Sequence, residues 1–230
     1  GPLSPLLSNV LLTDLDRELE KRGHKFCRYA DDCNIYVKSE KAGERVLGSI
    51  TEYLEKKLKM RGPREKSGVG RPADRKFLGY TVVSWNDRAY LKVALVAVKR
   101  FRGDLRAVFR RGRGRSIGRI IEELNPKLRG WVHSFRHIRG ARGLGELDVW
   151  IRRHLRQILW LQWKRSFTRA RNLLRLGLSE KRAWNTAQNG RGSWWNAGSR
   201  HLNQALPTRL FARLGLVSLE NTYYALRRFT

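Results

Sequence analysis

The chain has few cysteines, few acidic side chains and no long apolar run. Its 230 residues include two cysteines, Cys27 and Cys33. Two cysteines this close together exclude a disulfide framework or a zinc cluster, and they favour a reducing, intracellular location. No segment approaches the ~20 apolar residues of a membrane-spanning helix, and no signal peptide is recognisable. We therefore expect a cytoplasmic protein with no membrane partner.

The scarcity of acidic side chains leaves a strongly basic chain. There are 49 Lys and Arg against 20 Asp and Glu, a formal charge of +29, which is typical of nucleic-acid-binding proteins. Residues 1–96 contain 19 basic and 13 acidic residues, whereas residues 97–230 contain 30 and 7. In that second part 26 of the 30 basic residues are Arg, which suits bidentate phosphate contacts. The second part is predicted to bind RNA.

The first 96 residues have the pattern of a mixed α+β layer. A helix is predicted from a cap at Ser4 to a stop at Gly23, and a second from Glu40 to Met60. Strands rich in β-formers are predicted in two hairpins, at 24–29 with 33–38 and at 76–84 with 89–96. This order of helix, hairpin, helix, hairpin resembles half of a split βαβ unit.

Helical periodicity dominates after residue 97. Seven of the eight tryptophans lie there; a tryptophan at helical spacing packs in a core more often than it stacks on bases, and both roles stay open. Gly112 to Arg115 is predicted as a flexible basic loop. The predicted helices are 97–110, 116–123, 126–137, 146–171, 179–188, 194–205 and 218–228.

Asp31 and Asp32 stand side by side between two short strands. Like charges at this distance repel each other unless a cation neutralises them, and hard divalent cations such as Mg²⁺ prefer carboxylate oxygen. A polymerase metal site requires such a pair. The alternative is a solvated turn, because Asp is common in hairpin turns.

Several segments in order resemble one family, the bacterial group II intron reverse transcriptases and maturases, especially their class C. The start of the chain resembles the tail of the family's substrate-binding motif, and FCRYADDCNIYVK (26–38) resembles its catalytic hairpin. Residues 65–67 resemble its lysine motif, although Gly62 stands where the family often has Asn, and 77–80 resemble its primer grip. The segments 124–131, 147–165 and 197–206 resemble the thumb and the adjoining DNA-binding region.

The resemblance implies a partial reverse-transcriptase palm followed by an all-α region. The implied domains are a palm at 1–96, a helical thumb at 97–172 and a basic DNA-binding region at 173–230. The nucleic-acid-binding residues implied on the helical part are Arg129, Trp131, Arg152, Arg153, Arg156, Lys164, Arg165, Arg169 and Arg171. For any one of these arginines a solvated surface or an ion pair is the alternative.

The resemblance also implies RNA-directed DNA synthesis with two Mg²⁺ ions, which activate the primer hydroxyl and stabilise the leaving pyrophosphate. Asp31 is the firmer implied ligand, and Asp32 is implied either to bind less directly or to shape the electric field. Lys66 is implied near the incoming dNTP, as a charge stabiliser or a proton donor. Phe77, Leu78, Gly79 and Tyr80 are implied to position the primer. A solvated loop is the alternative for Lys66, and strand core is the alternative for Phe77 and Leu78.

The family's metal site includes a further aspartate, on a strand that precedes the first residue here, as do the fingers. We therefore expect a fragment that does not polymerise efficiently alone. The implied partners are intron RNA, the RNA template and DNA primer duplex, target DNA and dNTP. The alternative function is a non-catalytic maturase module that binds intron RNA and assists its splicing.

Overall fold

The computed structural model describes residues 3–59, 67–86 and 88–228. The chain divides into two compact units, Gly1–Ala89 and Tyr90–Thr230. The first is a mixture of helices and antiparallel hairpins, and the second is almost entirely helical. This confirms the predicted class, an α+β palm-like part followed by an all-α part.

The first unit is built on one hairpin covered by two helices. Leu12, Leu15 and Leu19 of the first helix and Ile50 of the second are buried. Phe26, Cys33 and Ile35 of the hairpin pack against them. These elements are α1 (Leu3–Lys21), β1 (Lys25–Tyr29), β2 (Asp32–Tyr36) and α2 (Glu40–Lys56).

Local signals set the ends of these elements. Gly23 has φ +70° after α1, a conformation that glycine adopts without the steric cost of a side chain. Ser39 caps α2 by accepting a hydrogen bond from the Ala42 amide at 3.2 Å. The two predicted helices and the first hairpin are present, but the prediction that Ser4 caps the first helix is wrong, because α1 already includes Leu3. The predicted end of the second helix at Met60 lies outside the described residues.

The second hairpin consists of β3 (Tyr80–Trp85) and β4 (Arg88–Val93). The prediction that its first strand begins at Lys76 is wrong. Phe77 and Tyr80 exchange backbone hydrogen bonds of 2.9 and 2.8 Å, and Leu78 and Gly79 between them have φ +51° and +79°. Positive φ at both central residues is the mark of a tight reversal, so β3 starts only after this turn.

The helical unit has its core on the inward faces of its three longest helices. Leu105, Leu124, Leu128, Ile151 and Leu155 are all at most 1% exposed. The helices are α3 (Leu95–Arg111), α4 (Ile117–Ser134), α5 (Arg142–Gln162), α6 (Ser166–Arg175), α7 (Glu180–Ala187), α8 (Ser193–Gly198), α9 (Arg200–Ala205), α10 (Thr208–Arg213) and α11 (Leu219–Arg227).

The predicted break at Asn125 and Pro126 is wrong, because α4 continues through it. Proline removes one helical hydrogen bond and usually ends or kinks a helix. Here Leu124 and Leu128 on either side are completely buried. The Asn125 amide also donates to the Gly215 carbonyl at 2.9 Å and accepts from the Val217 amide at 3.0 Å. Tertiary contacts therefore hold the helix together across the proline.

Two other predicted helices are each divided. The predicted helix 146–171 is interrupted at Lys164, whose φ is +36°, so α5 and α6 are separate. The predicted helix 194–205 is interrupted at Ser199, whose hydroxyl accepts from the Leu202 amide at 3.2 Å and starts α9. Helix α10 was not predicted at all.

The stretch predicted as a flexible basic loop is a 3₁₀ turn, Gly112–Gly114. The Gln162 side chain donates to the Arg115 carbonyl at 2.7 Å. Arg111 and Arg115 both bind the Glu123 carboxylate, at 2.7 and 2.8 Å. Part of the charge of this turn is therefore already neutralised within the fold.

No helix in the described part of the chain is long and apolar enough to cross a membrane.

Candidate metal hairpin and nucleic-acid interface

The β1–β2 hairpin presents Asp31 and Asp32 at its tip. Tyr29 pairs with Asp32 in the register of the two strands, so Ala30 and Asp31 form the connection. Ala30 has φ +53°, a conformation that costs an alanine about 1 kcal/mol. Both aspartates are exposed, and neither carboxylate binds another side chain among the residues that the structure describes. The geometry leaves two adjacent carboxylates facing solvent.

Arg28 fixes this turn from the inner face of the hairpin. Its Nη1 donates to the Ala30 carbonyl at 2.8 Å and to Asn9 Oδ1 at 3.0 Å. Its Nε donates to Asp16 Oδ1 at 2.7 Å, and Nη2 donates to Oδ2 of the same carboxylate. The hydrogen bond with Asp16 raises the pKa of Arg28. The strained residue of the turn is thus tied to helix α1.

Arg28 and Asp16 were not among the predicted site residues, although the sequence contained a signal for the arginine. Strand alternation places Arg28 on the same inward side as Phe26, and both are half-buried. A charged group on a face that is otherwise apolar requires a partner. The partner itself, 12 residues earlier on another element, could not be identified from spacing.

The donor chemistry of the tip fits part of a magnesium site. Mg²⁺ is usually held by one or two carboxylates together with waters and substrate phosphates, and the tip offers two unengaged carboxylates. No group of three or more His, Cys, Asp or Glu suited to a metal occurs within the described ranges. By themselves Asp31 and Asp32 would supply only part of the ligands of such a site.

The two cysteines of the hairpin take no part in this set. The register pairs Cys27 with Asn34 and Arg28 with Cys33, so the two thiols lie on opposite faces and are free. Cys27 is exposed, whereas Cys33 packs against the core of the unit. Burial, with a further contribution from Asp16, raises the pKa of Cys33 to about 11. Cys33 is therefore a protonated packing residue at neutral pH.

The other predicted palm residues lie elsewhere. Lys66 lies outside the described residues. Leu78, at the tip of the tight turn before β3, is 49% exposed, whereas Phe77, Gly79 and Tyr80 are half-buried. Leu78 is therefore the exposed apolar side chain of this tight turn.

The residues predicted to bind nucleic acid on the helical unit differ in accessibility. Arg129 on α4, and Lys164, Arg165 and Arg171 at the start and middle of the α6 region, are exposed. Trp131, Arg152, Arg153 and Arg169 are half-buried, and Arg156 is buried with 5% of its surface exposed. The exposed cations are the ones free to meet a phosphate.

Three of the less exposed arginines are engaged inside the unit. Arg153 donates to the Trp194 carbonyl at 2.9 Å and lies 4.1 Å from the centre of that ring. Arg156 donates to the Leu206 carbonyl at 2.9 Å, and burial lowers its pKa to about 10. Arg169 lies 4.5 Å from the Trp160 ring centre. Their contacts are those of structural residues.

Most of the tryptophans also pack inside the helical unit. Trp131 stacks on Phe101 with ring centres 4.5 Å apart, and Trp160 is 2% exposed. His154 lies 4.4 Å from the Trp150 ring and 4.7 Å from the Trp194 ring. Burial, reinforced by Arg106 and Arg153, lowers the pKa of His154 to about 4 despite its hydrogen bond with Gln157.

Trp195 differs from these tryptophans because 46% of it is exposed. The Arg191 guanidinium lies 4.1 Å from its ring centre. Arg191 was not among the predicted site residues. Its only sequence signal was a position between Gly190 and Gly192, just before a Trp-Trp pair.

Two family models match the chain, one in each unit. Residues 1–82 match the model described as reverse transcriptase (RNA-dependent DNA polymerase). Residues 98–177 match the model described as group II intron, maturase-specific domain. No curated protein matches the chain. The acidic hairpin and the turn at 77–80 fall inside the first match, and helices α4, α5 and α6 fall inside the second.

Proposed function

The chain belongs to the group II intron reverse transcriptases and maturases, and from this membership we propose a division of labour between its two units. In the complete protein the first unit contributes the metal hairpin and primer-binding turn of an RNA-directed DNA polymerase. The helical unit binds the intron RNA that is spliced and copied. Template, primer and target DNA are bound by the same basic protein.

The observation that carries the polymerase proposal is the pair of exposed, unengaged carboxylates at a turn that Arg28 braces. Asp31 and Asp32 would hold Mg²⁺ through their carboxylate oxygens. When bound, the metal supplies charge stabilisation for attack of a primer hydroxyl on a dNTP. Arg28 keeps the tip in position before any substrate arrives, which preserves the placement of both carboxylates.

Metal binding at the tip is measurable on this chain without catalysis. Mn²⁺ is paramagnetic and accepts the same oxygen ligands as Mg²⁺. We expect it to broaden the NMR amide signals of residues 29–33 selectively, and Mg²⁺ to compete. The double variant Asp31→Asn, Asp32→Asn should abolish the broadening, and Asp14→Asn on α1 should not. Equal broadening in the double variant would contradict the metal assignment.

A second function, RNA binding without catalysis, is favoured by the charge of the helical part. Residues 97–230 carry 30 basic and 7 acidic residues, and Lys164, Arg165 and Arg171 are exposed. We propose these three, together with Arg129 and the half-buried Arg152, as phosphate contacts. Arg153 and Arg156 are left out because their guanidinium groups donate to backbone carbonyls of the unit, and Arg169 because its guanidinium lies against the Trp160 ring.

Salt dependence tests this second function. Each phosphate contact releases counterions, so the logarithm of RNA affinity should fall with the logarithm of salt concentration. The triple variant Lys164→Gln, Arg165→Gln, Arg171→Gln should reduce that slope by about 2 to 3. A matched control removes three exposed cations of the first unit, Arg17, Lys38 and Lys41. RNA affinity that barely changes with salt would contradict the proposal.

A further inference from the structure

We propose that Trp195 and Arg191 form a stacking site for an unpaired nucleic-acid base. This inference rests on the proposed nucleic-acid binding and adds a specific site and the kind of strand that it recognises. Trp195 is the exposed tryptophan among those of the helical unit, with 46% of its surface accessible. An exposed indole in a basic unit fits a nucleobase, which presents a flat aromatic face on an anionic strand.

The cation beside the ring strengthens this assignment. The Arg191 guanidinium lies 4.1 Å from the centre of the Trp195 ring, within the range of a cation–π contact. A second flat group would stack on the accessible part of the indole, which amounts to 46% of the residue. A base stacked on the ring would have its phosphate close to the positive charge of Arg191, and arginine suits both roles.

The loop that carries Arg191 is held rigidly by a buried asparagine. Asn196 is fully buried, and its Nδ2 donates to the Arg191 carbonyl at 2.9 Å and to Asn189 Oδ1 at 3.2 Å. Asn189 Nδ2 donates back to Asn196 Oδ1 at 2.7 Å. The Arg191 amide in turn donates to Asn189 Oδ1 at 3.0 Å. The backbone of Arg191 is therefore fixed before a ligand arrives, which lowers the entropy cost of binding.

The neighbouring Trp194, in contrast, has the contacts of a structural residue. Trp194 packs against His154 with ring centres 4.7 Å apart, and its carbonyl accepts two hydrogen bonds from Arg153. Trp195 packs against no other aromatic ring among the described residues. Because the helical unit is strongly basic, we expect the partner that covers Trp195 to be a polyanion and not a protein.

Stacking distinguishes an unpaired base from a duplex, because the bases of a duplex already stack on one another. The test measures binding of the full chain to short oligouridine RNA, to oligodeoxythymidine and to duplex RNA of the same length, by fluorescence anisotropy over a salt series. Trp195→Ala should weaken single-strand binding about tenfold. Trp195→Phe should retain most of the affinity, and Arg191→Ala should lose part of it.

Two further readouts separate stacking from general electrostatics. Because the indole is uncharged, Trp195→Ala should leave the salt slope and the duplex affinity unchanged. Trp85→Ala is the matched control, since Trp85 is 70% exposed in the first unit. Loss of affinity by Trp195→Ala for single-stranded RNA alone, for single-stranded DNA alone or for both supports the stacking site. The pattern of loss shows which kind of strand the site binds.

The inference is overturned if Trp195→Ala binds single strands like the wild type, or weakens duplex and single strand equally. Failure of the proposed function gives a different result, in which the wild type itself binds no nucleic acid in a salt-dependent way. Circular dichroism of Trp195→Ala should match the wild type because the side chain is exposed. Trp195→Gln, which keeps a polar surface, provides a second variant with the same expected loss.

Discussion

Arg28 and Asp16 form a two-point ion pair that joins the acidic turn to helix α1. Nε of Arg28 donates to Oδ1 of Asp16 at 2.7 Å, and Nη2 donates to Oδ2. The side chains of the pair are 12% and 25% exposed. A bidentate pair this sheltered from water stabilises more than an exposed one.

Replacing Arg28 with Met should therefore lower the free energy of unfolding by about 2 kcal/mol, because Asp16 is left without its partner. Urea unfolding followed by circular dichroism measures the loss. The control is Arg17→Met, since the pair of Arg17 with Asp14 is 75% and 57% exposed and should contribute about 0.5 kcal/mol or less. Equal effects of the two variants would contradict the bracing role.

The two cysteines should react at very different rates. Cys27 is exposed, whereas burial raises the pKa of Cys33 to about 11, and only the thiolate is nucleophilic. At pH 8 a thiol reagent should label Cys27 rapidly and Cys33 slowly. Cys27→Ser should remove the fast phase and Cys33→Ser should leave it. Two thiols that react at the same rate would show that Cys33 is not packed in the core.

His154 should make the helical unit sensitive to acid. Burial lowers its pKa to about 4, so between pH 6.5 and about 4 the unfolded chain binds a proton that the folded chain does not. The stability associated with neutral His154 is fully present above pH 6.5 and is lost as the pH falls toward 4.

The variant His154→Phe keeps the ring stacking and removes this titration. Its loss of unfolding free energy between pH 7 and pH 4 should be smaller than that of the wild type, by about 2 kcal/mol after allowance for solvent screening of the half-buried ring. Tryptophan fluorescence reports on this unit, which contains seven of the eight tryptophans. If the two proteins lose stability in parallel, the histidine does not carry the acid sensitivity.

Asn125 should be essential to the continuity of α4. It pairs with the Gly215 carbonyl and the Val217 amide, so Asn125→Ala leaves the half-buried Val217 amide without its partner, whereas water can reach the exposed Gly215 carbonyl. The expected cost is about 1 kcal/mol. Asn203 is a control on α9, since its side chain bonds only nearby carbonyls at the helix start. If Asn125→Ala lowered the free energy of unfolding by less than Asn203→Ala does, the proposed role of the Asn125 hydrogen bonds would be contradicted.

The sequence allowed prediction of those elements that local chemistry determines. Leucine spacing and Gly23 were sufficient for α1, apolar residues at helical spacing were sufficient for α2, and alternation around two aspartates was sufficient for the first hairpin. Pro126 and Lys164 were misjudged for opposite reasons. At Pro126, contacts with residues distant in sequence keep the helix continuous despite the proline. At Lys164 the helix is interrupted by a positive φ, although lysine is not a helix-breaking residue type.

The candidate site was predictable to the same extent. Asp31 and Asp32 were visible as an unusual pair, and the structure places them together at an exposed tip. The ion pair of Arg28 with Asp16 and the asparagine pair behind Arg191 depend on contacts between separate elements. The hydrogen bond from Arg156 to the Leu206 carbonyl, 50 residues away, cannot be predicted from sequence spacing either.

The most direct test of the account compares two activities of one variant, Asp31→Asn, in the complete protein that carries this chain. Primer extension on an RNA template should fall by about three orders of magnitude, because a metal ligand is worth several kcal/mol of transition-state stabilisation. Binding of intron RNA should be unchanged, since we assign that binding to the helical unit. Undiminished DNA synthesis by the variant would contradict the account.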